Sequence, residues 1–596
     1  MRDGVGAAGA AGAPRALLTV AVVAVGFAAT DTYVVVLALP DMMASVGLDV
    51  DQLQRAAPIV SGFLLGYVAM LPLIGKVADL RGRVPVLVGS LVVFSAGSLV
   101  TASSYDLVSM VLGRLVQGVG AGGLVPATLA LVADIWPAHR RGVPLGVVGA
   151  VQELGAVVGP LYGALVLSFA GWHLIFWLNL MGGMVLAGVL AFLGRHRGQA
   201  GWRPQRHPGS SAAVAGALAV PALAALALTM SPPAGLASGV ATGLAFVPVS
   251  GGSRWVTPMA FACYLLAAAT AGWLLWSRRR RADRAAPTGP PEVPRRATAD
   301  VAGALLLAGV LGGVVVAFAT SDPAVHVFSP VGPWALAVSG CALLGFSWRQ
   351  ARAASPLVPR RTLRSRPAWG SIVVSFFAGA GLIAALVDIP VFARVTVYPD
   401  SQLDAALVLL RFLVAVPVGA LAGGFLTRRL PPALLAGLGM LMAAGGFWWM
   451  SQWGMTALSN PLATVPLVLC GLGFGLAITP VNAAMLAATR SGVHGLASSF
   501  LVVARMVGML VGISALTAIG LRRFYAASAS APSVREVCHS PVVCNAYLDV
   551  LKRAGVVQMH AVFEGAAVSV LVAAVVSVIV FARAGAERRS DGLGVR

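Results

Sequence analysis

The stretch Gly75-Lys-Val-Ala-Asp-Leu-Arg-Gly-Arg83 lies between two apolar runs, near 53–75 and 84–102. Each run has about 20 residues, enough for a helix to cross about 30 Å of hydrocarbon. The glycines permit a tight turn that other residues would strain, and Asp79 can face a helix N-terminus, where negative charge is favoured. This short basic segment therefore predicts a turn between two membrane-spanning helices, on the side that retains positive charge.

The same kind of apolar run recurs along the whole chain. None of the runs alternates polar and apolar residues as a barrel strand does, so helices are the spanning structure that remains. We predict an all-α polytopic membrane protein of sixteen helices, or of fourteen if the hairpin at 212–276 does not cross fully. The runs lie near 15–41, 53–75, 84–102, 106–133, 143–168, 172–194, 212–230, 258–276, 300–319, 332–348, 369–395, 405–427, 432–450, 464–487, 496–520 and 562–583.

The runs form two blocks of six around an inserted middle. The two pairs of runs in the middle share the pattern Val-Ala-Gly-Ala-Leu, at 214–218 and at 301–305. This grouping predicts two six-helix halves with two inserted hairpins, joined by a Pro-rich, disordered linker. The predicted domains are an N-terminal half at 1–194, basic linkers with an extra hairpin at 195–297, a second hairpin at 298–350, and a C-terminal half at 351–596 with an extracytoplasmic extension at 521–561.

Composition and charge exclude a soluble chain. Hydrophobic residues make up 58% of the sequence and charged residues 11%, whereas a soluble protein carries about a quarter charged residues. The net charge is +21, but the arginines lie in short segments between apolar runs and form no stripe with aromatic residues, so we expect no nucleic-acid partner. Positive loops face the cytoplasm, which places both termini there, in an inner (plasma) membrane protein.

Five cysteines are too few for a disulfide scaffold. Cys538 and Cys544 share a polar loop, and their closeness suits a local disulfide if the loop faces an oxidising side. A zinc site with the adjacent His539 is the weaker alternative, because a fourth ligand is not evident, and we expect no metal.

Two motifs carry a family resemblance. The segment Gly75–Arg83 resembles the cytoplasmic loop motif of the major facilitator superfamily, and Arg114-Leu-Val-Gln117-Gly118 resembles its buried arginine motif. The resemblance implies two pseudo-equivalent halves, with the arginines of the loop pairing across them. The second-half counterpart of the loop, Gly424-Phe-Leu-Thr-Arg-Arg429, lacks the aspartate. The implied gate residues are Gly75, Asp79, Arg81, Gly82 and Arg83.

Two further motifs narrow the resemblance to antiporters. The segment Asp31-Thr-Tyr-Val-Val-Val-Leu-Ala-Leu-Pro40 resembles the pattern of fourteen-helix drug:proton antiporters. The segment 155–163 resembles the antiporter motif of a later helix, where glycines every fourth position make a smooth face and the proline bends the helix. Generic small-residue packing is the alternative explanation. The implied motif residues are Gly155, Gly159, Pro160 and Gly163.

One branch of this family is similar over most of the chain. The segments 31–36, 152–163, 386–388 and 503–512 resemble the mycobacterial triacylglyceride exporters, also described as multidrug efflux pumps, which work with a periplasmic lipid-carrying lipoprotein. The resemblance implies a lipid-like or amphiphilic substrate and such a partner. This sequence differs from that branch in two respects. It has sixteen predicted helices where the branch has fourteen, and its outward loop contains a pair of cysteines.

Ionisable residues inside apolar runs are costly and usually functional. We expect Asp31 to be the main proton-coupling carboxylate, with Arg114 or Arg505 as its partner, and Glu153 to be the second choice. The family arrangement places Asp31, Arg114 and Asp388 on the pathway. A static ion pair that fixes helix register is the alternative for each. The candidates are Asp31, Arg114, Glu153, Asp388, Arg411 and Arg505.

These features predict a proton-coupled secondary exporter that works by alternating access, with neutral lipids or amphiphiles as substrate. Multidrug efflux of cationic amphiphiles is the alternative, and nutrient import by proton symport is less favoured. No Gly-Lys-Ser/Thr nucleotide loop and no catalytic constellation stands out, so we expect neither an enzyme nor a cofactor, and the proton gradient as driving force. We expect a monomer among membrane lipids.

Overall fold

The computed structural model describes residues 4–48, 53–195, 209–249, 254–284, 300–319, 331–353, 356–358, 365–399, 401–532, 534–538 and 544–593. Regular secondary structure in these residues is helical. The prediction of a disordered linker from Arg278 onward is wrong for its first part, because residues 278–284 are helical, and the remainder at 285–299 lies outside the described residues. The α-helices are α1 (Gly4–Ser45), α2 (Leu53–Arg81), α3 (Arg83–Ala102), α4 (Leu107–Gly122), α5 (Leu124–Ile135), α6 (Gly142–Leu167), α7 (His173–Arg195), α8 (Gly209–Met230), α9 (Ala234–Ala237), α10 (Val240–Gly243), α11 (Pro258–Arg284), α12 (Val301–Ala319), α13 (Gly332–Arg352), α14 (Arg366–Val395), α15 (Gln402–Leu426), α16 (Pro432–Met450), α17 (Thr464–Ala488), α18 (His494–Ala529), α19 (Val534–Cys538) and α20 (Asn545–Leu593).

Each predicted apolar run falls on a helix, which confirms the all-α fold. Of the described segments, eleven are long and apolar enough to cross a membrane. Three further apolar stretches are shorter, and all three lie in the inserted hairpins: Ala217–Met230, Pro258–Trp273 and Ala302–Ala317.

The extension differs from the predicted limits of the last two spans. Helix α18 continues to Ala529, well beyond the apolar run that ends at 520. Helix α20 begins at Asn545, before the apolar run at 562, which confirms the prediction that 545–557 is helical. The added turns contain alanine, arginine and leucine, which favour helix in water as well as in lipid. Apolarity marks where a helix can lie in a membrane, but it does not mark where the helix ends.

The turn between α2 and α3 is a single residue, Gly82, with φ of +93°. Residues with a Cβ rarely adopt this conformation, so the glycine lets two long helices reverse direction without a loop. The turn brings Arg83 directly to the start of α3, where it is buried.

Two bundles, α1–α7 and α14–α18 with α20, form the two halves. Each has its own apolar core, with Phe63, Phe94 and Phe176 fully buried in the first half and Phe392 and Phe447 fully buried in the second. Small residues allow close helix packing in the absence of a hydrophobic force between helices in lipid. At Gly118, for example, an added Cβ would collide with the backbone of Phe63 on α2.

The halves meet along a seam with two sides. On one side α6 packs against α15 and α17, and on the other side α2 and α5 pack against α18. The second inserted hairpin, α12–α13, lies over the second side, because α12 contacts both α2 and α18. The first hairpin, α8–α11, contacts the N-terminal half through α3.

Candidate functional site

A buried ion pair joins α1 to α4 inside the N-terminal half. The Arg114 Nη1 atom lies 2.8 Å from the Asp31 Oδ2 atom, and both side chains are at most 1% exposed. The other carboxylate oxygen of Asp31 accepts a hydrogen bond from the Asn179 amide on α7, at 2.5 Å. Asp31 is therefore satisfied by one charged and one neutral donor. Of the two arginines expected as its partner, the structure brings Arg114 to it.

Arg114 has further partners that fix its position. It donates to Gln117 Oε1 at 2.6 Å, one helical turn away, and its guanidinium lies 4.4 Å from the ring centroid of Phe63. Gln117 in turn donates to the Ser98 hydroxyl on α3 at 3.0 Å. The network thus connects five helices around one buried carboxylate. Removing one member of such a pair leaves an uncompensated buried charge, at a cost of about 3–5 kcal/mol.

A second ion pair crosses between the halves. The Arg505 Nη1 atom on α18 lies 3.1 Å from the Glu153 Oε1 atom on α6, and these side chains are 13% and 11% exposed. The backbone of α18 at Arg505 also packs closely against α14, because Gly379 leaves no room for a side chain there. Arg505 is therefore held within the C-terminal half while its charge reaches across the seam.

Two small cavities flank this second pair. One, of about 50 Å³, is lined by Glu153, Arg505, Phe63 and Tyr67 among others. The other, of about 40 Å³, also reaches Arg505. A water molecule occupies about 30 Å³ of liquid, so neither cavity has room for a long-chain molecule in this conformation.

The loop motif closes one end of the bundle. We call this the basic end, because its loops carry Arg81, Arg83, Arg140, Arg428 and Arg490. There the Asp79 carboxylate accepts backbone hydrogen bonds from Gly495 at 2.9 Å and Leu496 at 3.0 Å, in the first turn of α18. The negative charge faces a helix N-terminus, as expected. The two halves are therefore in contact at the basic end.

The two arginines of this motif have different environments. Arg83 pairs with Asp79 and with Asp134, at 3.0 Å, and both carboxylates belong to its own half. Arg81 is exposed. The Asp79 carboxylate makes a contact across the seam, and the Arg83 guanidinium lies close to the same turn of α18, since an added Cβ at Gly495 would meet its Nη1 atom at 3.2 Å.

The antiporter motif forms part of the contact between α6 and α1. An added Cβ at Gly155 would collide with Ala29 on α1, and Gly159 and Gly163 are buried on the same helix. Helix α6 continues without interruption through Pro160. The glycines let α6 approach the helix that carries Asp31.

Three remaining candidates lie apart from these pairs. Asp388 is buried on α14, and no hydrogen-bond or ion-pair partner for it occurs among the described residues. Arg411 donates to the Thr464 hydroxyl at 3.0 Å, at the start of α17. Cys538 and Cys544 are joined as a disulfide between α19 and the start of α20.

Sequence reasoning missed the neutral polar residues of the site. Asn179 contacts Asp31 directly, and Gln152 and Asn482 line the smaller cavity. A neutral amide inside an apolar run is less costly than a charge, so it stands out less. The position of Gln152 beside Glu153 was the one available signal.

Comparison with known proteins agrees with this architecture. The model of the Major Facilitator Superfamily matches residues 21–348. The triacylglyceride transporter of Mycolicibacterium smegmatis is 35% identical over 84% of this chain and 75% of its own length. The triacylglyceride transporter of Mycobacteroides abscessus is also 35% identical, over 84% of this chain and 81% of its own.

The fold is also found in a solved structure. The human organic anion transporter MFSD10 superimposes with a TM-score of 0.50 at 15% identity, over 95% of this chain and 99% of that protein. At this identity the likeness concerns the fold alone. Together with the matches in sequence, these findings identify a multi-pass membrane transporter, not an enzyme, and the chain belongs to the Major Facilitator Superfamily.

Proposed function

We propose that the chain is a proton-coupled exporter of triacylglyceride-like lipids, working by alternating access between its two halves. One observation carries the proposal, namely that the two ion pairs lie on neighbouring helices. Asp31, which pairs with Arg114, is on α1, and α1 packs directly against α6, which carries Glu153 of the cross-seam pair. The names of the two mycobacterial relatives support the lipid class.

The coupling step follows from the chemistry of the first pair. When Asp31 takes up a proton, Arg114 loses its counter-charge while both remain in a dry interior. The free arginine then favours any conformation that offers it water or another acceptor. Because α1 packs on α6 beside Gly155, a shift of α1 reaches Glu153 through one helix contact.

The lipid route follows from the shape of the seam. The hairpin α12–α13 covers the side formed by α2 and α18, whereas the side formed by α6 and α15 has no such cover among the described helices. A water-insoluble substrate would enter sideways from the bilayer along α6 and α15. The basic end would face the cytoplasm, in the plasma membrane.

The extension between α18 and α20 is suited to releasing lipid on the side of the membrane opposite the basic end. Helices α18 and α20 project past the apolar segments, and exposed apolar side chains such as Tyr525 and Leu548 lie on them. The disulfide between Cys538 and Cys544 fits an oxidising compartment. The extension would guide lipid outward or dock a periplasmic lipid-carrying lipoprotein.

Export of cationic amphiphiles is the second candidate, because Glu153 lines a cavity and is a carboxylate that such compounds would seek. Proteoliposomes with an imposed pH gradient separate the two. We expect a fluorescent triacylglyceride to move and a cationic dye to move poorly. Dye movement without lipid movement would support drug efflux and contradict the lipid proposal.

The coupling role is tested with Asp31→Asn in the same vesicles. We expect gradient-driven transport to disappear while folding is retained, because asparagine keeps the shape and loses the titratable charge. Asp41→Asn is the matched control, since this exposed aspartate lies on the same helix. Full transport by Asp31→Asn would remove Asp31 from the coupling step.

A further inference from the structure

A much larger cavity lies at the basic end, apart from both ion pairs. Its volume is about 780 Å³, against about 50 Å³ for the cavity beside Glu153. It is formed by residues 15–19 of α1, the segment between α5 and α6, the first turns of α6, and the turn that follows α15. Three of these elements therefore belong to the N-terminal half and one belongs to the C-terminal half.

The polar wall of this cavity is cationic. Arg15, His139 and Arg140 come from the N-terminal half and Arg428 comes from the C-terminal half. None of the described residues that line the cavity is acidic. Several positive side chains facing one space repel each other, and an anion placed between them removes that repulsion.

The arginines of the cavity are not used to hold the fold. Among the described residues, no carboxylate lies within ion-pair distance of Arg15, Arg140 or Arg428, and no hydrogen-bond partner of their side chains is found. The neighbouring Arg141 is different, because it donates to the carbonyl oxygens of Trp136 at 2.8 Å and Ala133 at 2.7 Å and so completes the end of α5. Adjacent arginines thus have separate roles, one structural and one facing the cavity.

The rest of the wall is apolar. Arg15 stands at the start of the first predicted apolar run, so we expect the cavity to lie near the level where that run leaves the hydrocarbon. Trp136 lines the cavity, and tryptophan favours this interfacial depth. The apolar lining residues are Leu18, Val143, Pro144 and Val147.

We propose that this cavity binds an anionic glycerophospholipid from the adjacent leaflet. The phosphate would lie among Arg15, Arg140 and Arg428, and the acyl chains would lie along the apolar wall. A neutral triacylglyceride carries no negative charge to pair with these cations, so the ligand is distinct from the lipid proposed as the transported substrate. Because Arg428 lies across the seam from the other two, the bound lipid holds the halves together at the basic end and stabilises the conformation closed there.

Native mass spectrometry of the full chain from nanodiscs tests the binding. The probes are phosphatidylcholine alone, phosphatidylcholine with phosphatidylglycerol, and phosphatidylcholine with free inorganic phosphate. We expect one phosphatidylglycerol to be retained by the wild type. An arginine near a membrane surface contributes about fivefold in affinity, so the double variant Arg140→Gln/Arg428→Gln should bind on the order of 25-fold more weakly.

Arg429→Gln is the matched control, because Arg429 is exposed, adjacent to Arg428 and outside the cavity lining. We expect this variant to retain lipid as the wild type does. Equal loss in both variants would show that only the general surface charge matters and would overturn the proposal. Free phosphate that displaces phosphatidylglycerol, or that gives the same closure of the basic end in neutral nanodiscs, would assign the cavity to a soluble anion and would also overturn it.

Discussion

Breaking the pair between Glu153 and Arg505 should open the basic end. The Arg505 Nη1 and Glu153 Oε1 atoms are 3.1 Å apart. Unit charges separated by about 4 Å attract by roughly 4 kcal/mol at an effective dielectric constant of about 20. The side chains are 13% and 11% exposed, so the cost of removing them from water offsets much of this attraction.

Contacting residues typically show interaction free energies of about 0.5–3 kcal/mol, and we expect about 1–3 kcal/mol for this pair. Neither charge has a partner across the seam once the halves separate, so this free energy favours the closed conformation alone. Glu153→Gln should therefore lower the ratio of closed to open molecules by about 5- to 150-fold.

A double-mutant cycle measures this quantity. Spin labels at Arg81→Cys and Arg490→Cys, two exposed positions in opposite halves, report the distance across the basic end by pulsed electron resonance. The exposed Cys341 is first replaced by serine so that it is not labelled. The closed fraction is then compared for Glu153→Gln, Arg505→Gln and the combined variant.

We expect the combined variant to be no more open than either single variant, because each single change already breaks the pair. If the two effects simply add, within about 0.3–0.5 kcal/mol, the pair does not stabilise the closed conformation. The physical reasoning about the cross-seam contact would then be wrong.

Three further changes test other parts of the structure. Asp79→Asn should weaken closure at the basic end without loss of expression, because asparagine still accepts one backbone hydrogen bond but places no negative charge at the N-terminus of α18. The same pair of spin labels measures the closed fraction, and an unchanged fraction would contradict the prediction. Gly118→Val should prevent assembly of the N-terminal half, because the valine side chain would meet the backbone of Phe63. Size-exclusion chromatography of the detergent-solubilised variant should show aggregation, and a sharp peak at the wild-type position would contradict the prediction. Asp388→Asn should change the thermal unfolding midpoint by less than Arg114→Met does. Asp388 has no partner among the described residues to lose, whereas Arg114→Met leaves the Asp31 carboxylate without its ion pair. A larger shift for Asp388→Asn would contradict this and reveal a structural role for Asp388.

The sequence predicted the fold, and it marked the charged residues that the structure pairs, for one physical reason. A charge inside an apolar run is conspicuous because hydrocarbon does not tolerate it, so Asp31, Arg114, Glu153 and Arg505 could be selected before any coordinates. The sequence left two partners open for Asp31, and the choice of Arg114 over Arg505 could not be predicted, because pairing depends on the rotation and depth of each helix. The same limitation applies to the contact that Asp79 makes with the first turn of α18.

The neutral partners and the end of α18 could not be predicted from the sequence either, whereas the helix that begins at Asn545 could. Asn179 donates a hydrogen bond directly to Asp31, yet one amide in an apolar run carries little signal. The loop motif behaved differently at Gly82, where the glycine predicted a tight turn and the backbone adopts it with positive φ. Local backbone requirements could be read from the sequence, whereas contacts between distant helices could not.

The position of α12 has a consequence for how the protein meets its surroundings. Wherever α12 lies against α2 and α18, protein takes the place of boundary lipid, so that flank of the molecule has the same neighbour in every membrane. The opposite flank is solvated by whatever acyl chains the bilayer supplies. Bilayer thickness and chain order therefore act on the two flanks unequally, and the alternating-access motion proposed above would meet different resistance on each side.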